Sequence, residues 1–221
     1  MTETIYDYII IGAGWGGLSQ AALHAKDGKK VLLLEAYDRA GGLGHSFSKG
    51  KYSFCAEMQY LQGCQPGWKA YEFLKILGLE NKIKFNSLDQ NCYDKVTIPG
   101  ANFKIPLGIE NYQQKLIERF PKERKKIIKF FRLMRRIVED ANSFREIYSM
   151  KKILLHPIRY FSMLRYMNWT TQDFFDHLKL SKPLQAILAS QIGDLALPPE
   201  YLSMEAHSDV IIGYTSSSSF P

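Results

Sequence analysis

The sequence has few cysteines and no long apolar run, and these absences exclude several classes of protein. Its three cysteines, at positions 55, 64 and 92, are too few for a disulfide framework and show no paired metal-ligand spacing, which favours a reducing compartment. No apolar run approaches the roughly 18 residues that a membrane span requires. Residues 1–4 lack the basic and apolar regions of a secretory signal. We therefore expect a cytoplasmic protein without a membrane span.

The composition is that of a folded chain, and its histidines do not indicate a metal site. With 221 residues, 46% hydrophobic and 23% charged, the chain is long enough for one large or two small domains with a substantial core. Its five histidines are scattered and no pair has ligand spacing, so we expect no metal.

Positive charge is concentrated in one segment. The net charge is +7, but residues 119–136 hold nine basic residues and one acid, which leaves the remainder close to neutral. A nucleic-acid-binding protein usually spreads its basic residues over a docking face, so we expect no nucleic-acid partner. The sequence does not indicate an oligomeric state.

The same segment reads as part of a long helix over residues 121–141. Lys125, Lys129, Arg132 and Arg136 share one face by their spacing, and apolar residues from Ile127 to Val138 form the opposite stripe. One interpretation is a surface helix whose apolar face lies in the core. The other is that the basic face docks on an anionic membrane surface and that neighbouring aromatics enter the bilayer, with further aromatics supplied by residues 158–169. The protein would then be peripheral on a membrane.

The first 35 residues are typical of a strand–helix–strand crossover. Tyr8–Ile11 is a continuous apolar run, as expected of a strand buried on both faces of a parallel sheet. A helix follows and Gly28 stops it. Val31–Leu34 then forms a second strand, which ends at Glu35. This order predicts a Rossmann-type unit at the start of the chain.

The turn between the first strand and the helix carries the G-x-G-x-x-G pattern. Gly12 permits a tight turn, Gly14 allows the backbone to approach a pyrophosphate, and Gly17 lets the helix pack closely on the sheet. Glu35 lies 18 positions after Gly17, close to the spacing of about 20 for a carboxylate that binds a ribose hydroxyl. Because this carboxylate would repel a 2′-phosphate, we expect an adenosine nucleotide with a free ribose.

The continuation of the motif resembles one family. Glu35 followed by Arg39-Ala40-Gly41-Gly42 is similar to the amine-oxidase and phytoene-desaturase superfamily of FAD flavoproteins. Within it the chain most resembles the phytoene dehydrogenase-like branch with carotenoid isomerases and retinol saturases. Residues 41–47 resemble its GGxxxSF segment, residues 52–54 the start of a following strand, and residues 193–199 with His207 and Tyr214 a distal GDLGLPP…H…Y region.

The resemblance implies FAD as cofactor and a set of residues that bind it. Glu35 would bind the adenosine ribose, and Arg39 would flank the diphosphate, although a solvated loop cation is an alternative for it. His45 could approach cofactor or substrate. No catalytic residue is identified. The implied cofactor-binding residues are Gly12, Ala13, Gly14, Trp15, Gly16, Gly17, Glu35, Ala36, Arg39, Gly41 and Gly42.

Two departures from the family pattern stand out. Glu57 occupies the place of a glycine in the family's F-D-x-G segment, so that either Glu57 lines the substrate side of the flavin or the register differs. The sequence ends at Pro221, where relatives continue into a C-terminal half that closes over the flavin.

We therefore predict an α/β fold in which residues 1–60 belong to a Rossmann domain and residues 61–221 to a largely helical substrate domain, with the C-terminal half of the usual fold absent. The implied function is an FAD-dependent oxidoreductase, of desaturase, saturase or isomerase type, acting on an apolar isoprenoid, carotenoid or retinoid-like substrate. The alternatives are an amine-oxidase-like flavoenzyme, although Leu43 stands where many of those have arginine, and a catalytically silent nucleotide-binding fragment. The four serines at 216–219 read as a loop.

Overall fold

A computed structural model describes residues 4–58, 61–99, 101–147, 158 and 160–220. The chain divides into two compact units, Met1–Ser87 with Ser219–Pro221, and Leu88–Ser218. The domain boundary predicted at residue 60 stays a prediction, because compactness divides the chain without assigning a function to either unit.

The first unit begins with the predicted crossover. Strand β1 (Tyr8–Ile11) and strand β2 (Val31–Leu34) pair in parallel, with Tyr8 opposite Val31 and Ile11 opposite Leu34. Helix α1 (Trp15–Lys26) connects them, and Gly28 follows it with a φ of +77°, a left-handed conformation that suits glycine at a helix end. The Rossmann-type unit is confirmed.

The two faces of this sheet differ in burial. Ile10 is half-buried and faces α1, since its Cγ2 atom would lie 3.5 Å from a Cβ atom at Gly17. Ile9 and Ile11 alternate to the other face, where they are 63% and 84% exposed. The prediction that β1 is buried on both faces is wrong in this structure, because α1 covers one face and no other described element covers Ile9 and Ile11.

The rest of the first unit consists of short elements. The glycines, serines and alternating aromatics of residues 41–60 predict a loop and a hairpin. The structure has a 3₁₀ turn (Gly42–Gly44) followed by a hairpin of β3 (Ser46–Lys49) and β4 (Tyr52–Cys55). Helix α2 (Lys69–Ile76) lies within residues 68–79, for which the sequence predicts a helix that Gly78 ends. A small sheet has the strand order β5 (Leu61–Gln62), β9 (Ser218–Phe220), β6 (Asn86–Ser87).

The second unit is mainly helical. It opens with an antiparallel hairpin of β7 (Asp94–Ile98) and β8 (Ala101–Ile105), where the sequence predicts short strands at residues 92–98 and 103–105. A 3₁₀ turn at Pro121–Glu123 leads into the long helix, and a second at Ile192–Leu195 precedes the last one. The helices are α3 (Ile109–Arg119), α4 (Arg124–Ile147), α5 (Phe161–Tyr166), α6 (Thr171–His177), α7 (Lys182–Leu188) and α8 (Met204–Ser217).

Three predictions for this half of the chain have different outcomes. Helix α4 confirms the predicted long helix and extends it to Ile147. The sequence also predicts more helix from about Tyr148, with an interruption at Pro157, and residues 148–157 lie outside the described residues. The loop predicted at Ser216–Ser219 is wrong, because Ser217 ends α8 and the next residues form β9, where Ser219 pairs with Ser87.

The core of the second unit forms around α4. Phe130, Phe131 and Met134 are fully buried, and the ring of Phe131 meets the ring of Tyr112 edge-on at 5.5 Å. The interpretation of α4 as a surface helix with its apolar face in the core is therefore confirmed. The other interpretation is wrong in one respect, because these aromatics are already packed inside the unit and are not free to enter a bilayer. Within the described ranges, no helix is long and apolar enough to cross a membrane.

Candidate functional site

The glycine loop leaves β1 through a turn that depends on Gly12. This residue has a φ of +96°, in the left-handed region that side chains disfavour. Its N–H donates to the carbonyl oxygen of Leu34 over 2.7 Å, so the turn starts where β1 is still paired with β2. Ala13, the next residue, is buried. The structure thus agrees with the tight-turn role that the sequence assigns to Gly12.

Close backbone packing explains the other two glycines of the motif. A Cβ atom at Gly17 would lie 1.8 Å from the carbonyl oxygen of Gly12, so only glycine fits where α1 passes over the turn. At Gly14 the nearest atom to such a Cβ would be the Cα atom of Gly42, at 3.8 Å. Gly14 therefore packs against the double glycine, and a Cβ atom there would meet no other atom within 4 Å.

The double glycine lies directly against the glycine loop. The N–H of Gly41 donates to the carbonyl oxygen of Ala13 over 2.7 Å, and Gly41 and Gly14 form an isolated parallel bridge. A Cβ atom at Gly42 would lie 2.9 Å from the Cα atom of Gly14. The structure thus brings together residues 12–17 and 41–42, two segments that the sequence assigned to one cofactor site.

The N-terminus of α1 offers donors that suit an anion. Trp15, Gly16 and Gly17 form its first turn, where backbone N–H groups have no intrahelical acceptor. Among the described residues no side chain caps this end and no acid lies in its first turn. A Cβ atom at Gly16 would meet nothing within 4 Å, so the space beside it is open. The positive end of the helix dipole therefore faces a position that a phosphate group can occupy.

Glu35 already binds the backbone of this loop. Its carboxylate accepts hydrogen bonds from the N–H of Ala13 at 2.6 Å and from the N–H of Tyr37 at 2.9 Å. The hydrogen bonds from Tyr37 and Ala13 lower the pKa of Glu35 below its usual value, so the group is an anion at neutral pH. A carboxylate has about four acceptor positions, so the side chain retains acceptors for ribose hydroxyls. Ala36 lies exposed beside it.

Arg39 has partners within its own loop. Its guanidinium donates to both carboxylate oxygens of Asp38, at 3.0 and 3.1 Å, and to the carbonyl oxygen of Ser46 at 3.1 Å. The hydrogen bond to Asp38 raises the pKa of Arg39. A guanidinium has five N–H donors, so Arg39 retains donors for a diphosphate while it ties the loop after β2 to strand β3.

His45 and Trp15 both contact the turn that follows Gly41. The Nδ1 atom of His45 lies 2.7 Å from the carbonyl oxygen of Gly42. The indole of Trp15 covers Gly44 so closely that a Cβ atom there would lie 2.0 Å from Nε1. The Trp15 contact could not be predicted from the sequence, because it joins residues 29 positions apart. Beside it lies an apolar groove of about 360 Å³, lined by Trp15, Leu18, Ser19, Ala22, Gly41, Gly44, Phe73, Leu77 and Leu79.

The distal residues of the resemblance lie in the second unit. The hydroxyl of Tyr214 donates to the carboxylate of Asp194. His207 is fully buried, and its Nε2 atom lies 2.9 Å from the carbonyl oxygen of Leu188. Burial lowers the pKa of His207 to about 4, so the ring is neutral and donates from Nε2. Glu57 lies exposed in the first unit, beyond β4.

Comparisons with known proteins agree with this geometry. Residues 10–77 match the family model of the NAD(P)-binding Rossmann-like domain. All-trans-retinol 13,14-reductase of Danio rerio is 29% identical over 97% of this chain and 37% of its own length, and that of Homo sapiens is 26% identical over the same shares. The chain resembles the N-terminal part of phytoene dehydrogenase-like flavoproteins. It spans little more than a third of the length of these relatives.

More distant likenesses extend the same result. Phytoene desaturase (neurosporene-forming) of Rhodobacter capsulatus is 42% identical over 53 residues, which are 24% of this chain and 10% of that enzyme. A crystal structure of an oxidoreductase from Methanosarcina mazei matches 97% of the chain and 45% of its own, with a TM-score of 0.59 and 17% identity. The structure of a putrescine oxidase matches 92% of this chain and 40% of its own chain, with a TM-score of 0.56 and 17% identity. The structural matches establish the fold.

Proposed function

We propose that the chain forms the nucleotide-binding part of an FAD-dependent oxidoreductase that acts on an apolar isoprenoid or retinoid-like substrate. The observation that carries this proposal is the packing of the double glycine, Gly41 and Gly42, against the glycine loop at Ala13 and Gly14. That packing brings the double glycine beside the N-terminus of α1, whose free N–H groups would bind an anion. The substrate class is supported by the likeness to retinol 13,14-reductases over 97% of the chain.

The residues present suit the proposed cofactor. The first-turn N–H groups of α1 would hold the pyrophosphate, because no side chain or acid occupies that end in the described structure. The free acceptor positions of Glu35 would bind the adenosine ribose, and the free donors of Arg39 would reach a diphosphate oxygen. Bound FAD supplies the redox chemistry. The side chains of this chain bind and orient it, and none of them is proposed as an acid or base.

A chimera tests the cofactor. In it this chain replaces the matching N-terminal part of the zebrafish relative, and absorbance identifies any flavin released on denaturation. We expect FAD in the purified chimera and its loss in Gly14→Val, since the branched side chain would occupy the space beside Gly14 that the pyrophosphate needs. Ala25→Val is the control, because Ala25 is exposed near the other end of α1. A colourless chimera that binds NAD would contradict the proposal.

A second candidate is a nucleotide-binding protein without catalysis. The groups that the site provides favour it, because the first-turn N–H groups of α1 and the Glu35 carboxylate are binding groups. A relative named inactive all-trans-retinol 13,14-reductase, from Danio rerio, is also 31% identical over 58% of this chain. Turnover of a retinoid by the chimera, together with its absence in the 221-residue chain, would favour the enzyme. FAD binding without turnover in either would favour the silent protein.

A further inference from the structure

The exposed face of α4 carries a row of four basic residues, here called the basic row: Lys125, Lys129, Arg132 and Arg136. With about 100° between successive residues of a helix, the four lie within a sector of roughly 60°. All four are exposed, whereas Phe130 and Met134 on the opposite face are fully buried. The basic row therefore points away from the core of the second unit.

The basic row lacks the ion pairs that its neighbours have. Lys126 pairs with Glu123 at 3.3 Å, and Arg135 pairs with Glu110 at 2.7 Å. No salt bridge among the described residues engages a member of the basic row. Glu139, which is exposed three positions after Arg136, limits the row at its C-terminal end. The row thus presents four positive charges to solvent that form no salt bridge in the described structure, although Glu110 and Glu139 line one cleft with Arg132 and Arg136.

Helix α5 and residues that flank it expose apolar side chains, here called the apolar patch: Ile158, Phe161, Leu164 and Met167. Ile158 is 91% exposed and Phe161 is 58% exposed. Tyr160 and Tyr166 are buried, so α5 is held to the unit by one side and shows the other to water. The aromatics that the sequence suggested for a bilayer are thus mostly unavailable, and Phe161 remains.

A hydrogen bond places the apolar patch beside the basic row. The backbone N–H of Met163, in the first turn of α5, donates to the carboxylate of Asp140 over 3.2 Å. Asp140 lies on α4 one helical turn beyond Arg136. The start of α5 therefore lies next to the C-terminal end of the basic row, within one compact unit.

We propose that the basic row and the apolar patch form one docking surface for an anionic lipid bilayer. Cations attract anionic headgroups, and neighbouring exposed apolar side chains can enter the acyl boundary, which is the composition of interfacial helices. A nucleic acid complements the charge but not the apolar patch. The use of such a surface, to take an apolar substrate from a membrane, rests on the proposed function, whereas the binding itself does not.

Vesicle sedimentation tests the basic row. The full chain is mixed with vesicles of phosphatidylcholine alone or of phosphatidylcholine with phosphatidylserine. Each cation contributes about fivefold to partitioning, so changing all four to glutamine should weaken binding to the mixed vesicles on the order of several hundred-fold. Added salt should weaken the unchanged chain, since screening acts over about 10 Å. The matched control changes four exposed lysines of the first unit to glutamine: Lys29, Lys49, Lys82 and Lys84.

Equal losses in the basic-row variant and its control would overturn the proposal, since net charge alone would then explain binding. Equal binding to both kinds of vesicle, or tighter binding to duplex RNA than to mixed vesicles, would also overturn it. Circular dichroism confirms that both variants fold.

A second measurement addresses the apolar patch. Phe161→Trp should be quenched by brominated lipid in mixed vesicles, beyond the quenching of the unchanged chain. Phe161→Ser with Met167→Ser should remove the part of binding that resists salt. Absence of both effects would overturn the role of the patch. FAD content of the chimera is measured separately, so a failure of lipid binding is distinct from a failure of the proposed function.

Discussion

The close contact of α1 with the glycine loop predicts a large effect of one methyl group at Gly17. In Gly17→Ala the new Cβ atom would lie 1.8 Å from the oxygen and 3.0 Å from the carbon of the Gly12 carbonyl. Optimal contacts between heavy atoms lie at about 3.5 Å, so α1 has to move by more than about 1 Å. The obstacle is backbone and cannot rotate away. Overpacking costs typically about 1–3 kcal/mol, and we expect the upper end of that range.

Hydrogen exchange of the full chain measures this effect where it arises. A loss of about 3 kcal/mol corresponds to roughly a hundredfold faster exchange of the amides in β1 and α1. Gly16→Ala is the matched control, because a Cβ atom at Gly16 meets nothing within 4 Å. Its protection should stay unchanged or rise, since alanine favours helix over glycine. Equal protection in the two variants would refute the packing argument, and neither result depends on a bound cofactor.

Three further predictions concern hydrogen bonds and buried groups. The hydrogen bonds from Tyr37 and Ala13 lower the pKa of Glu35, so the stability that they contribute is present at neutral pH and is lost as pH falls through that lowered pKa. In Glu35→Gln, the backbone amides near Ala13 should therefore exchange faster at neutral pH and lose less protection in acid. The pKa of His207 is about 4 in the folded state against an ordinary value of 6.5, so the free energy of unfolding of the second unit should fall by about 3 kcal/mol as pH falls from 6.5 to 4. Urea unfolding should show a smaller loss in His207→Gln, and equal losses would contradict the assignment. Glu123→Ala removes the acceptor of two hydrogen bonds, from the Ser181 N–H at 3.0 Å and from the Ser181 hydroxyl at 2.5 Å. It should lower the free energy of unfolding in urea by about 1–3 kcal/mol, and an unchanged midpoint would show that these bonds contribute little.

The glycine motif could be located from the sequence because its requirements are local. The turn at Gly12 and the approach at Gly17 involve residues within five positions of one another, so spacing alone defines them. Helix α3 (Ile109–Arg119) was not predicted, although a signal exists: the buried residues Tyr112, Leu116 and Ile117 follow helical spacing. Polar residues between them weakened that pattern.

Partners distant in sequence could not be predicted. The sequence assigned Glu35 to a ribose by its position, but its hydrogen bond to Ala13 joins residues 22 positions apart and depends on how β1 and β2 pair. Similarly, the helical spacing of the sequence defined a basic and an apolar face on α4, but it could not show whether the core or a bilayer covers the apolar face. The buried rings of Phe130 and Phe131 decide that question, and the exposed Phe161 takes their place in the docking surface that we propose.

The apolar run of β1 connects the fold to the proposed cofactor. Such a run is typical of a strand covered on both faces, yet Ile9 and Ile11 are exposed in this structure. Fully burying one such side chain contributes about 1.5–3 kcal/mol, so a polypeptide layer over this face would stabilise the β1–β2 sheet and with it the turn at Gly12. A ligand that binds only the ordered loop gains affinity when that loop is already stabilised. We therefore expect the chimera, which has the length of the relatives, to bind FAD more tightly than the 221-residue chain in isothermal titration. Submicromolar binding of FAD by the 221-residue chain alone would show that the uncovered face has no bearing on the site.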